Sequence, residues 1–158
     1  MNWPMNRNVN RYVNRSAFLV AAIVWAIASP SLALAGPPGE DDARYGVEAS
    51  KKGKLREALG YFKRAIQARG LKGYQLSAVY VNRGLTYYRL AKYQKAIADF
   101  NTAIKILPKN AYAYNNRGLT YEKLGKPALA IRDYRMALKI DPTLWRTKTN
   151  LDRLGVQP

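Results

Sequence analysis

The chain has 158 residues, with 27 basic and 10 acidic side chains for a formal charge of +17, and it contains neither cysteine nor histidine. That length allows at most one domain behind a leader. Without histidine the commonest general base and metal ligand are missing, and without cysteine the fold rests on packing alone.

Residues 1–15 carry Arg7, Arg11 and Arg15 and no acid, residues 17–28 are almost wholly apolar, and Ala33-Leu34-Ala35 is a small-x-small triplet. Basic, apolar and cleavage regions in that order predict a secretory signal peptide over residues 1–35. The alternative is an uncleaved helix anchoring the chain in the inner membrane, because residues 17–35 approach the roughly 20 that a spanning helix needs. Pro30, its flanking serines and the Ala-Leu-Ala ending favour cleavage. No cysteine follows the apolar run, which excludes a lipid-modified lipoprotein. The exported chain is then expected to start at Gly36, hold 123 residues and be periplasmic or secreted. Loss of three arginines lowers its charge from +17 to +14.

Gly36-Pro37-Pro38-Gly39 reads as a linker running to residue 40, because it can neither continue a helix nor donate regular hydrogen bonds. Glu40, Asp41 and Asp42 mark a helix start, where acids complement the exposed N–H groups. Gly53, Leu55, Ala58, Phe62 and Ala65 then have the spacing of a second helix. Arg69-Gly70-Leu71-Lys72-Gly73 is expected to end that helix at a glycine and open a longer connection.

The next stretch says one phrase twice. Asn82-Arg83-Gly84-Leu85-Thr86-Tyr87 returns 34 residues later as Asn116-Arg117-Gly118-Leu119-Thr120-Tyr121, and residues 80–108 match residues 114–142 at 16 of 29 positions without a gap. The matched positions are Tyr80, Gly84, Tyr87, Ala96, Phe100, Ala103 and Pro108, answered by Tyr114, Gly118, Tyr121, Ala130, Tyr134, Ala137 and Pro142. They fall at positions 4, 8, 11, 20, 24, 27 and 32 of the period, the pattern of a helix–turn–helix repeat. In these residues the chain resembles tetratricopeptide repeat proteins, small exported bacterial ones in particular.

The resemblance implies an all-α fold: a right-handed α-solenoid of three helix pairs, near residues 39–72, 77–110 and 111–144, closed by a capping helix over 143–154. The first unit keeps Gly46 but places Asp42 and Ala49 where bulky residues usually sit, as suits an end repeat with one unpartnered face. Gly84 and Gly118 fall mid-helix, where glycine costs about 1 kcal/mol relative to alanine. Close approach of the helices bearing Ala96 and Ala130 is the expected reason. In the cap, Trp145, Leu151 and Leu154 are expected to cover the last repeat, with Arg146, Lys148, Asp152 and Arg153 in solvent.

In such proteins the first helix of each pair lines a concave groove, through positions 2, 5, 6, 9, 12 and 13. Position 6 reads Arg44, Asn82, Asn116, Asn150, so three amides are expected to form a ladder suited to the backbone of an extended peptide. The alternative is that these amides bond only locally or to water. Neighbouring groove candidates are Tyr88, Arg89, Tyr112, Asn115, Lys123 and Arg146. A two-carboxylate clamp, as in chaperone-tail-binding members, fits worse: it needs lysine and asparagine where this chain has Ala43 and Val47, or Val81 and Leu85. The expected partner is a protein or peptide, including an acidic one, with no cofactor, metal or small-molecule substrate.

The basic excess supplies a second reading. Lys51, Lys52, Lys54 and Arg56 form one cluster, and Arg132, Arg135 and Lys139 another on a second helix, so charge-driven binding to an anionic membrane, polysaccharide or nucleic acid is the alternative. Nucleic acid is disfavoured, since only Tyr88 and Tyr112 offer stacking platforms. Asp99 and Asp133 hold equivalent repeat positions, so symmetry explains them better than catalysis. The serines and threonines have no base to activate them, and no enzyme is expected.

Overall fold

The computed structural model describes residues 36–157; the expected signal peptide or anchor lies outside the described residues. Among these residues the fold is all-helical: α1 (Glu40–Lys51), α2 (Leu55–Gln67), α3 (Gly73–Arg89), α4 (Tyr93–Ile106), α5 (Ala111–Lys123), α6 (Pro127–Ile140) and α7 (Trp145–Arg153). Helices pack in the pairs α1–α2, α3–α4 and α5–α6, with α7 against α6, as a solenoid of three pairs and a cap.

The second helix of each pair carries the core. Ala58, Phe62 and Ala65, then Ala96, Phe100 and Ala103, then Ala130, Tyr134 and Ala137 are all fully buried. Their spacing puts an aromatic ring between two alanines on one helical stripe, so each ring points at the first helix of its own pair. The mid-helix glycines make room for it: a Cβ on Gly84 would lie 2.7 Å from Phe100 Cε1, and one on Gly118 would lie 2.8 Å from Tyr134 Cε1. The close approach expected against Ala96 and Ala130 is thus mainly an approach to the neighbouring aromatic ring, with the Ala130 carbonyl 3.2 Å from a Cβ on Gly118.

All three first helices end in one turn. Lys54, Lys92 and Lys126 each donate a backbone N–H to the carbonyl five residues back, at 2.9 Å. The preceding residue takes the left-handed conformation this closure requires: Gly53 at φ 77°, Ala91 at φ 55° and Gly125 at φ 67°.

Arginine–aspartate pairs brace the second and third units. Arg83 donates from Nε and Nη2 to both oxygens of Asp99, at 2.8 and 2.7 Å. Arg117 does the same to Asp133, both at 2.7 Å. The aspartates are 5% and 3% exposed. Each carboxylate raises its arginine's pKa, chiefly through these hydrogen bonds and against the cost of burial. The guanidiniums also lie over tyrosine rings, Arg83 5.2 Å from Tyr80 and Arg117 5.4 Å from Tyr114. Both aspartates are therefore structural, consistent with their repeat symmetry.

Ser77 and Asn110 join successive units. Ser77 Oγ donates to the Ala103 carbonyl at 2.9 Å and accepts from Asn110 Nδ2 at 2.9 Å, while Asn110 caps α5 by accepting from the Ala113 N–H. Among the described residues no buried side-chain nitrogen or oxygen lacks a hydrogen-bond partner.

Three expectations need correction. The longer connection after α2 is not a loop: α3 begins at Gly73 and has 17 residues against 13 in α5, so the extra turn lengthens the helix. The left-handed residue after α2 is Arg69, at φ 55°, rather than Gly70. Gly70 is needed for space, since a Cβ there would come within 2.6 Å of Pro38 Cδ. In the cap, Leu151 is fully buried and Leu154 packs beside it, but Trp145 is 66% exposed. Thr147 takes the buried place instead, and α7 starts at Trp145 because Asp141 holds Thr143 in a turn by accepting its N–H and hydroxyl.

Candidate functional site

Tyr74, Ala78 and Asn82 recur every fourth residue along α3, so they form one stripe of its surface. A cleft opens on each side of that stripe, and these three residues border both. The first, about 260 Å³, lies toward α1 and reaches Ala43, Val47 and Leu71, with Glu40 and Arg44 at its rim. The second, about 270 Å³, lies toward α5 and is walled by Tyr74 and Tyr112 over Val81 and Leu85. Asn116 and Asn110 complete its lining. Tyr74 and Tyr112 are 73% and 61% exposed, and a phenol ring that exposed is free to pack on an incoming chain.

The predicted site residues separate into two groups. Asn82, Asn116 and Tyr112 meet in the second cleft. The rest lie outside both clefts. Asn150 is on α7, where its carbonyl oxygen accepts from Arg153 at 3.4 Å. Asn115 accepts from the Thr147 hydroxyl at 2.9 Å and donates to Asn116 Oδ1 at 3.3 Å, so it ties the cap helix to α5. Arg89 donates to the Ser50 carbonyl at 2.7 Å and to its hydroxyl at 3.1 Å, which joins α3 to the end of α1. Tyr88 is half-buried against Tyr93, and burial raises its phenol pKa. Lys123 is exposed, and Arg146 lies 5.2 Å over the Trp145 ring.

The electrostatics follow from these commitments. No ionisable acid or base other than the tyrosine phenols lines the second cleft. Arginines near the groove are engaged internally: Arg44 with Asp41, Arg83 with Asp99, Arg89 with Ser50, and Arg117 with Asp133 and Asn101. The cleft therefore offers amide donors and acceptors and aromatic walls, in a nearly neutral setting despite the charge of the whole chain.

Sequence reasoning missed Tyr74, because the residues ahead of Ser77 read as a connection. A signal was present: Tyr74 precedes Ala78 and Asn82 at helical spacing, and no proline follows Gly73 to prevent the helix from starting there.

Family models described as tetratricopeptide repeat and TPR repeat match residues 111–144 and 84–125, so this stretch carries tetratricopeptide repeats. No curated protein sequence matches the chain. Among solved structures, the TPR domain of Arabidopsis OM64 is 29% identical with a TM-score of 0.69, over 74% of this chain and 93% of that one. The second TPR domain of human RPAP3, in complex with the HSP70 peptide SGPTIEEVD, is 26% identical with a TM-score of 0.65, over 73% and 93%. The second TPR of Spaghetti (RPAP3), bound to the HSP90 peptide SRMEEVD, is 26% identical with a TM-score of 0.60, over 66% and 93%.

Proposed function

We propose that this chain is an adaptor that holds an extended peptide segment of a partner protein across α1, α3 and α5. The observation that carries this reading is the stripe Tyr74–Ala78–Asn82, shared by two clefts. Two adjoining clefts on parallel helices suit successive side chains of one extended segment. Asn82 and Asn116 supply the donors and acceptors that a peptide backbone needs. Peptide-bound relatives of the same fold support the class of ligand.

The chemistry of the lining narrows the partner. A peptide carboxylate entering the second cleft meets no cation there, whereas an aliphatic or aromatic side chain finds Tyr74, Tyr112, Val81 and Leu85. The part of the segment held in the second cleft is accordingly neutral, with a bulky apolar residue. Export past a membrane, with the domain beginning near Gly36, is the location that fits the amino-terminal sequence.

Alanine at both Asn82 and Asn116 tests the reading. Each net hydrogen bond is worth about 0.5–1.5 kcal/mol, so the double variant should bind its peptide roughly tenfold to a hundredfold more weakly. Unchanged affinity, measured by calorimetry on a peptide selected from an array, would overturn it. The peptide SRMEEVD serves as a contrast, since Ala43 and Val81 stand where a clamp needs lysine. It should bind at least about tenfold more weakly than the selected neutral peptide.

A further inference from the structure

We propose that the outer face of α6, with the adjoining part of α4, docks onto a phospholipid bilayer bearing anionic headgroups. The two helices hold only two carboxylates, Asp99 and Asp133, and both are buried and taken up by arginines of the first helices. Their outer surface consequently displays Lys95, Lys105, Arg132, Arg135 and Lys139 with no acid among them. Burying the aspartates segregates the charge: the negative ends brace the solenoid from within while the cations remain outside.

The third unit departs from the second on this face. Leu129, Arg132, Arg135 and Met136 stand where the preceding repeat has Lys95, Ala98, Asn101 and Thr102. Leu129, Arg132, Met136 and Lys139 fall on one exposed stripe of α6, so apolar and cationic side chains alternate along it. That mixture suits a membrane interface, where the apolar side chains enter the headgroup boundary and the cations meet phosphate. A nucleic acid gains little from Leu129 or Met136. The stripe also borders a polar cleft of about 290 Å³, lined by Arg132, Asn101, Tyr121 and the Arg117–Asp133 pair. Arg117 is neutralised there by its aspartate, while Arg132 makes no ion pair among the described residues. Arg132 is thus the group placed to take a lipid phosphate.

The test is co-flotation of the full chain with phosphatidylcholine vesicles, with and without phosphatidylglycerol. The amino-terminal segment carries Arg7, Arg11 and Arg15 and also favours anionic vesicles, but parent and variant share it, so comparing them on the same vesicles cancels its contribution. Each cation near an anionic bilayer is worth about fivefold, so Arg132→Glu with Arg135→Glu should cut the phosphatidylglycerol-dependent affinity at least about 25-fold. These residues are exposed, and an unchanged melting curve would show that the fold survives. Leu129→Ser with Met136→Ser should weaken vesicle binding severalfold even at about 1 M salt, where the Debye length is only about 3 Å. Equal flotation of the arginine variant and the parent would overturn the proposal. So would vesicle indifference in a parent chain whose binding to duplex DNA depends on Arg132 and Arg135, which would assign the face to nucleic acid.

Discussion

Arg117 and Asp133, 16 residues apart on α5 and α6, are joined by two parallel hydrogen bonds of 2.7 Å each. The same pair recurs one repeat earlier as Arg83 and Asp99. Removing one member of a buried pair strands the other, at a cost of roughly 3–5 kcal/mol; the partly exposed guanidinium places the loss near the lower end. Asp133→Ala should therefore lower stability by about 3 kcal/mol, read from its urea midpoint. Replacing both residues, as Arg117→Met with Asp133→Leu, should restore most of that loss. Asp41→Ala, which breaks an exposed pair with Arg44, should cost under about 1 kcal/mol.

Ala91 occupies a conformation that its equivalents fill with glycine. At φ 55° it bears a left-handed strain of about 1–2 kcal/mol, of which the greater chain freedom of glycine when unfolded would return about 0.4–1. Ala91→Gly should stabilise the protein by about 0.5–1 kcal/mol, and Gly125→Ala should destabilise it by a similar amount. Thermal melts of the two single variants check both signs.

Tyr134 takes the place that Phe62 and Phe100 hold in the earlier units, and its hydroxyl donates to Glu122, which also pairs with Arg153 of the cap. Burial first, and then the bond to Glu122, push its pKa far above the ordinary value near 10. The folded state thus holds this proton more tightly than the unfolded state does. Its contribution to stability is complete below about pH 10 and declines above that, as the unfolded chain releases the proton. Tyr134→Phe should cost about 1–2 kcal/mol at neutral pH, because it deprives a carboxylate of a donor. It should also flatten the fall in stability above pH 10, which paired urea titrations of parent and variant would reveal.

How much the sequence disclosed follows from the range of each interaction. Ala96, Phe100 and Ala103 were legible because core packing repeats with the helix period, and Gly84 was legible because a mid-helix glycine needs a close neighbour. The cap was legible only in part: Leu151 and Leu154 obey the apolar stripe, whereas Trp145 sits in the first turn of α7 and faces outward. Asn82, Asn116 and Tyr112, assigned to a groove by register alone, line one cleft. Arg89 and Asn115 share that register, yet bonds to Ser50 and Thr147 in adjacent units occupy them. Those contacts depend on how successive units stack, which a 34-residue period does not encode. Tyr74 was hidden by an extra helical turn that falls outside the period.

Peptide capture between α3 and α5 is tested most directly by chemical-shift mapping with an array-selected neutral peptide. The side-chain amides of Asn82 and Asn116 and the rings of Tyr74 and Tyr112 should shift together and saturably, while Arg132, Arg135 and Lys139 stay unmoved. Tyr74→Ser with Tyr112→Ser should abolish the shifts of the Asn82 and Asn116 amides without changing the melting temperature. Shifts confined to the outer face of α6, or a groove response that survives loss of both tyrosines, would contradict it.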